Sequence, residues 1–429
     1  MNKQNKVKKS LVSAFFESIF ASCYSGFTAD YITPYALVLK ATTRAIGFLS
    51  AFPFLASSIA QLKSADIAER MKSRKKPINI FVLIHTLLLV PVILIPYLFK
   101  IQPVIFLIIF VTLSVGFNAF TGPIYSGLLS EYIPYKMRGR YFGWRNKIML
   151  IVIISVSLIA GLILQYFRHS VLKGFLIIFC LALVCRFISW YFLTRLHEPV
   201  FRFDKDSYFS FSDFVKNFKN SNFGKFVLFV SGMQFCVNLA GPFFPVFMLR
   251  DLKFNYIIYT IVVTTVTAIQ IFTIGRWGRC ADWVGNIRVL KFTSLIIASL
   301  PLWWIINQNP AYLVFAQLLS GFAWAGFNLC TANFIYDAVT PSKRIRCFGY
   351  FNVFVGLAVF LGAGIGGYLA NSLPNIFGYK ILTLFFISSA LRFLVVFLLS
   401  PKIKEVRATE HMAITDLTLC VIGLKPTPK

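Results

Sequence analysis

An all-α integral membrane protein, with twelve transmembrane helices in two pseudo-symmetric six-helix halves, is the fold class this sequence predicts. Three observations carry it: recurring apolar runs, a one-sided distribution of basic residues, and an internal repeat. Of the 429 residues, 58% are hydrophobic and only 14% are charged, where a soluble domain carries about a quarter charged residues. Runs of about twenty apolar residues are long enough to cross a bilayer as helices. Lipid leaves only helices or closed barrels as spans, because every backbone polar group must be satisfied internally. These runs are continuous rather than alternating, which selects helices.

The spans fall at 12–38, 44–62, 78–99, 103–130, 146–167, 174–195, 225–249, 255–276, 290–307, 311–336, 347–370 and 378–400. Their even number puts both termini on one side. The net charge of +28 would suggest nucleic acid in a soluble protein. Here the basic residues sit between apolar runs, so no nucleic-acid partner is expected and the lipid bilayer is the partner. In or beside the tails and the connections after even spans lie 33 Lys and Arg, against 8 at the connections after odd spans. That bias predicts cytoplasmic termini in an inner or plasma membrane. The basic N-terminus leads into a run interrupted by Glu17 with no cleavage-like site after it, so a retained first span is expected.

The longest internal connection, 196–224, divides the chain. The expected domains are an N-terminal half (1–195), a cytoplasmic linker (196–224), a C-terminal half (225–400) and a cytoplasmic tail (401–429). In the linker, Phe211, Phe214, Val215 and Phe218 share one helical face, which predicts a short helix lying on the membrane surface.

The two halves repeat each other. Glu131, Arg138, Arg140, Phe142, Gly143 and Asn146 recur as Asp337, Arg344, Arg346, Phe348, Gly349 and Asn352, at a constant offset of 206. Gly139/Ile345 and Arg145/Phe351 break the match. Arg186 in span 6 and Arg392 in span 12 keep the same offset, and both are expected to snorkel or to meet backbone carbonyls within their own half. A second pair follows spans 2 and 8, where Asp66 and Asp282 each precede cations: Arg70 and a basic cluster in one half, Arg288 in the other.

The segment Gly278-Arg-Cys-Ala-Asp282-Trp-Val-Gly285-Asn-Ile-Arg288 resembles motif A of the major facilitator superfamily. The copy after span 2 is degraded, with Leu62 and Glu69 where glycines are usual. The resemblance covers all twelve spans and implies a transporter fold whose halves rock about a central site. It further implies that Asp66 and Asp282 latch helix ends of the opposite half. Glu131 and Asp337 would pair with cations such as Arg70 and Arg288, with Arg138 and Arg344 completing the gate. The remaining lysines and Arg74 are expected to set topology only.

By the same resemblance, spans 1, 4, 7 and 10 line the cavity. Their mid-depth polar or ring-bearing residues are Tyr24, Asn118, Gln234, Asn238, Trp324 and Asn328, the candidates for binding a small-molecule substrate. Asparagine and glutamine also serve as glue between helices. Two acids fall in span 1: Glu17 near its cytoplasmic end and Asp30 in its outer third. An intramembrane carboxylate is a candidate proton carrier, since loss of water makes its neutral form accessible, and Asp30 is the expected coupling residue, with protons as the candidate coupling ion.

The expected function is therefore secondary active transport of a small organic solute. A membrane-embedded lipid-modifying enzyme would cluster His, Asp, Ser or Cys at one face, whereas the histidines at 85, 169, 197 and 411 are scattered and no metalloprotease or serine-hydrolase motif occurs. A non-transporting sensor on the same scaffold is the remaining alternative. The eight cysteines show no CxxC; neither metal nor cofactor is expected. Span 5 lacks a Gly-Pro pair, and the glycines of span 11, among them Gly362, Gly364 and Gly366, allow close helix approach.

Overall fold

The computed structural model describes residues 3–133, 137–198, 221–340 and 344–406. The expected surface helix around Phe211–Phe218 and most of the tail lie outside the described residues, as do the side chains of Arg138 and Arg344. In chain order the helices are α1 (Lys3–Thr28), α2 (Ile32–Val38), α3 (Thr43–Arg70), α4 (Lys75–Leu87), α5 (Leu89–Leu98), α6 (Pro103–Tyr132), α7 (Arg138–Tyr166) and α8 (Val171–Thr194). They continue with α9 (Asn222–Ala240), α10 (Tyr256–Val284), α11 (Asn286–Ile306), α12 (Pro310–Ala338), α13 (Arg344–Ser372) and α14 (Lys380–Leu399).

Among the described residues, eleven helical segments are long and apolar enough to cross a membrane, with mean hydropathy from 1.5 to 2.7. The 26-residue α1 completes the twelve. It falls short of that apolarity because it carries Glu17 and serines at 10, 13, 18, 22 and 25.

Two expectations need correction, and one span is found with a broken end. Span 1 is not one helix to residue 38: it ends at Thr28, and Asp30 sits in the turn before α2. Span 7, expected at 225–249, is found over Asn222–Asp251, where α9 continues as a short 3-10 turn, a helical turn and a π turn. The motif residues after spans 2 and 8 are not in loops, because α3 runs on to Arg70 and α10 to Val284. Asp66 and Asp282 therefore sit on the last turns of helices. A single residue, Gly285, then joins α10 to α11 at φ +94°, a backbone that glycine adopts without a Cβ clash. The first half makes the same turn over Met71–Arg74, with Lys72 at φ +48°. A longer turn there takes the place of the single glycine, in line with Glu69 standing where the second half has Gly285.

The chain folds as two compact units: Met1–Asp204 with Pro245–Thr260, and Lys205–Phe244 with Ile261–Lys429. Inside them the same helix pairs recur. In the first unit α1 packs on α7 and α8, and α4 on α6 and α8; in the second, α9 packs on α13 and α14, and α11 on α12 and α14. Close approach is achieved differently. In the first unit Gly26 of α1 faces Val156 and the Ile153 carbonyl of α7. In the second, Gly362 and Gly366 of α13 lie against the Phe235 and Leu239 carbonyls of α9, whereas Gly364 faces open space.

Each unit also caps its third span with an acid that follows its sixth. Glu198, after α8, accepts hydrogen bonds from Ser73 Oγ (2.8 Å), the Arg74 amide (2.5 Å) and the Lys75 amide (3.2 Å) at the start of α4. Glu405, after α14, accepts one from the Ile287 amide (2.7 Å) at the start of α11. These carboxylates satisfy amides that a helix start leaves without partners, and they meet the positive end of its dipole.

Candidate functional site

The buried charges of the first unit are gathered between α1, α6, α7 and α8. Glu17 and Tyr24 are seven residues apart on α1, and Tyr125 and Asn118 seven apart on α6. Each pair shares a face two turns, or about 10 Å, apart. The helices run in opposite directions, so Glu17 meets Tyr125 at one level while Tyr24 and Asn118 lie at the next.

At the first level Glu17, 6% exposed, accepts hydrogen bonds from Tyr125 Oη (2.5 Å), Ser189 Oγ (3.3 Å) and Ser18 Oγ (3.1 Å). Arg145 of α7 donates to Ser18 Oγ through Nε (3.0 Å) and Nη2, and its guanidinium lies 5.9 Å from the Tyr125 ring centre. At the second level Arg186, 6% exposed, donates to Asn118 Oδ1 (2.7 Å) and Ser189 Oγ (3.2 Å), and stands 5.6 Å from the Tyr24 ring centre. Ser189 thus bridges the buried acid and the buried base. Tyr24 also meets His85 of α4 edge to face at 5.1 Å, and His85 Nδ1 is held by Ser114 of α6, 2.8 Å from its hydroxyl.

This network abuts a cavity of about 360 Å³ walled by α1, α2, α3, α4, α5 and α6, with Tyr24, His85, Ser114 and Asn118 in the wall. A charge pair taken out of water is costly unless hydrogen bonds satisfy its remaining atoms. Three helices, α1, α6 and α8, supply those bonds here, and only Arg186 Nε is left without one.

The other expected site residues are placed as follows. Asp30, at the α1–α2 turn, has its carboxylate 3.5 Å from Ser157 Oγ, and its carbonyl accepts from Tyr259 Oη at 2.6 Å. In the second unit Asn238 donates to the Gln234 carbonyl of its own helix at 2.8 Å, with the Gln234 side chain at 3.4 Å. That pairing is intrahelical, not glue between helices. Trp324 packs edge to face on Phe327 at 5.5 Å, and Asn328 is exposed. Arg392 donates to the Ile297 carbonyl (2.9 Å) and sits 3.4 Å from the Val237 carbonyl, as expected. Its repeat partner Arg186 departs from that expectation, since it engages side chains.

At the gating positions, Asp66 is exposed and pairs with Lys63 at 3.4 Å. Asp282 lies exposed on the last turn of α10, and Gly278 packs 3.7 Å, measured from an added Cβ, from Leu329. Glu131 pairs not with Arg70 but with Arg74, because the turn after α3 carries Arg74 to the end of α6. Arg74 therefore does more than set topology. Asp337 accepts from Asn286 Nδ2 at 2.7 Å.

Glu17, Arg145, Arg186, Ser189 and His85 were not among the site residues expected from sequence. One signal was present: Glu17 and Arg186 are opposite charges inside spans of the same half.

The Major Facilitator Superfamily profile matches residues 11–238 and 226–423. The chain belongs to that superfamily. Its fold is similar to that of the nucleoside transporter NupG, at TM-score 0.69 and 16% identity, covering 94% of this chain and 100% of that one. It is also similar to a D-xylose-proton symporter, at 0.68 and 12%, covering 94% and 99%. A third likeness is to a bacterial homolog of the human lysosomal transporter Spinster, at 0.67 and 12%, covering 95% and 100%. No curated protein sequence matches it significantly. The chain is thus an integral membrane protein with the twelve-helix major facilitator fold, a transporter family rather than an enzyme family.

Proposed function

We propose that this major facilitator protein is a secondary active transporter of a small organic solute, worked by alternating access between halves at 1–195 and 225–400 and coupled to protons. The observation that carries the reading is the Glu17–Ser189–Arg186–Asn118 chain, which links a buried carboxylate to the wall of a cavity. A carboxylate that gains or loses a proton beside a buried arginine changes the field that orients that arginine and Asn118. Solute binding and protonation then share one network. The D-xylose-proton symporter and the nucleoside transporter among the similar folds accord with this class of solute and of coupling ion.

In this reading Gln234, Asn238, Trp324 and Asn328 are the solute-binding candidates of the second half. Asp66 and Asp282, with Arg70, Glu131, Arg138, Gly278, Gly285, Arg288, Asp337 and Arg344, form the gate, and the basic bias sets both termini in the cytoplasm. Glu17 takes the coupling role expected of Asp30, because Glu17 contacts the cavity network and Asp30 lies at a helix break with Ser157. The test is uptake into proteoliposomes under an imposed pH gradient. Glu17→Gln is expected to abolish accumulation above equilibrium while sparing exchange, and Asp30→Asn to leave both. The reverse outcome would return the coupling to Asp30, and accumulation by both variants would end the proton reading.

A further inference from the structure

We propose that the cavity between α1, α3, α4 and α6 takes an uncharged, oxygen-rich solute, and that Asn118, locked by Arg186, reads an acceptor oxygen on it. This deepens, and rests on, the transporter reading above. Three observations converge.

The first is the wall. Its polar groups are hydroxyl, amide and imidazole, from Tyr24, Thr33, Ser50, Ser57, His85 and Asn118 among others, and no Asp, Glu, Lys or Arg belongs to it. At about 360 Å³ it lies at the small end of ligand pockets, roughly 300–1,000 Å³. That suits one sugar-sized or nucleoside-sized molecule. A cation would face the Arg186 charge directly behind Asn118. An anion would find that charge already committed, since both terminal nitrogens of Arg186 are bonded to Asn118 and Ser189.

The second is the orientation of Asn118. A guanidinium only donates, so the 2.7 Å bond from Arg186 fixes the Asn118 carbonyl oxygen toward Arg186. The amide nitrogen is thereby turned the other way, and it makes no hydrogen bond among the described residues. Asn118 is a donor whose flip has been decided by its neighbour.

The third is His85. This wall residue is 2% exposed, its Nδ1 is held by Ser114, and its Nε2 has no hydrogen-bond partner. Buried polar atoms are seldom left so. Ser114 offers Nδ1 both a donating hydroxyl at 2.8 Å and an accepting carbonyl at 3.0 Å, so either ring tautomer is supported. Nε2 itself is closed off from the cavity surface, so a solute hydroxyl, which both donates and accepts, would satisfy it in either tautomer once the ring turns toward the cavity.

The test uses the purified full chain and a panel of probes: uridine, D-glucose and myo-inositol as neutral solutes, lactate and choline as charged controls. Binding is read as a dose-dependent rise in melting temperature. At least one neutral probe is expected to bind and neither charged one. Asn118→Asp is the informative variant, because an aspartate keeps the contact with Arg186 as an ion pair but has no N–H to offer. It is expected to melt no lower than the parent and to bind the neutral probe about tenfold more weakly or worse, the cost of an unmade buried hydrogen bond. If Asn118→Asp does not fold, His85→Leu carries the same expectation, with partial recovery in His85→Gln. Unaltered binding in a folded variant, preference for a charged probe, or no binding by any neutral probe overturns the proposal. Uptake of the same probes into proteoliposomes separates the two readings. Binding without uptake sinks the transporter reading and leaves the site. Uptake that Asn118→Asp does not change sinks the site and leaves the transporter.

Discussion

Arg186 and Arg392 occupy the same place in the repeat, one in each half, and do different work. Arg392 is 3% exposed and, among the described residues, hydrogen-bonds only backbone carbonyls, those of Ile297 and Val237. Arg186 is 6% exposed and meets Asn118, Ser189 and the Tyr24 ring. The neighbouring corner differs in the same sense. Arg145 reaches Ser18 and Tyr125 in the first half, whereas its counterpart Phe351 stacks 6.0 Å from Phe226, which itself lies 4.3 Å from Phe334. The repeat preserves helix positions and lets the chemistry diverge. The first half has concentrated charge around a cavity, and the second has used the matching positions to fasten helices together.

The largest effect should come from breaking that fastening. An added Cβ at Gly366 would collide with the Leu239 carbonyl and lie 3.0 Å from Phe243, while one at Gly364 meets nothing within 4 Å. Backbone cannot yield as a side-chain tip can. Gly366→Ala is expected to cost ~1–3 kcal/mol or more, seen as a marked fall in melting temperature or loss of folded protein. Gly364→Ala should be neutral or gain up to about 1 kcal/mol from helix propensity. Equal melting of the two variants would mean that α9 and α13 do not touch along this stripe.

The two arginines come next. Arg186→Leu frees Asn118 to flip and leaves Glu17 without its bridged counter-charge. Solute uptake should fall about tenfold or more. Arg392→Leu removes hydrogen bonds to carbonyls together with a buried charge, which has no ion pair among the described residues. Those terms oppose each other, so its stability change should stay within about 1–3 kcal/mol and its solute binding should survive. If both variants lost uptake equally while remaining folded, the division of labour between the halves would be wrong.

Much of the fold could be read from the residues alone. Continuous apolar runs gave the helices, and the offset of 206 gave the repeat. The helix ends were placed short, because polar ends such as Leu62–Arg70 continue a helix into the aqueous layer where hydropathy no longer marks it. The site was legible only in part. Tyr24 and Asn118 stood out as polar groups at mid-depth. Depth on one helix, however, does not say which other helix a side chain meets, so the Glu17–Ser189–Arg186 bridge between α1 and α8 stayed hidden. The mismatch of Arg145 with Phe351 was visible as a break in the repeat. Its meaning needed the knowledge that α7 lies beside Ser18. Even the Arg74–Glu131 pair depended on a turn whose path hydropathy does not describe.

The smallest difference sits at the helix starts, and it tests whether the halves are stabilised alike where no solute chemistry intervenes. Glu198 holds two amides of α4 and the Ser73 hydroxyl, whereas Glu405 holds the Ile287 amide of α11. A glutamine at either place keeps an acceptor oxygen but loses the charge that meets the helix dipole, and one oxygen becomes an amide nitrogen. Losses for such caps run near 1 kcal/mol. Glu198→Gln should therefore lower the melting temperature more than Glu405→Gln, with solute binding intact in both. The reverse order would place the larger share of capping in the second half. A loss of binding in Glu198→Gln without a change in melting would instead tie this cap to the cavity, through α4 and His85.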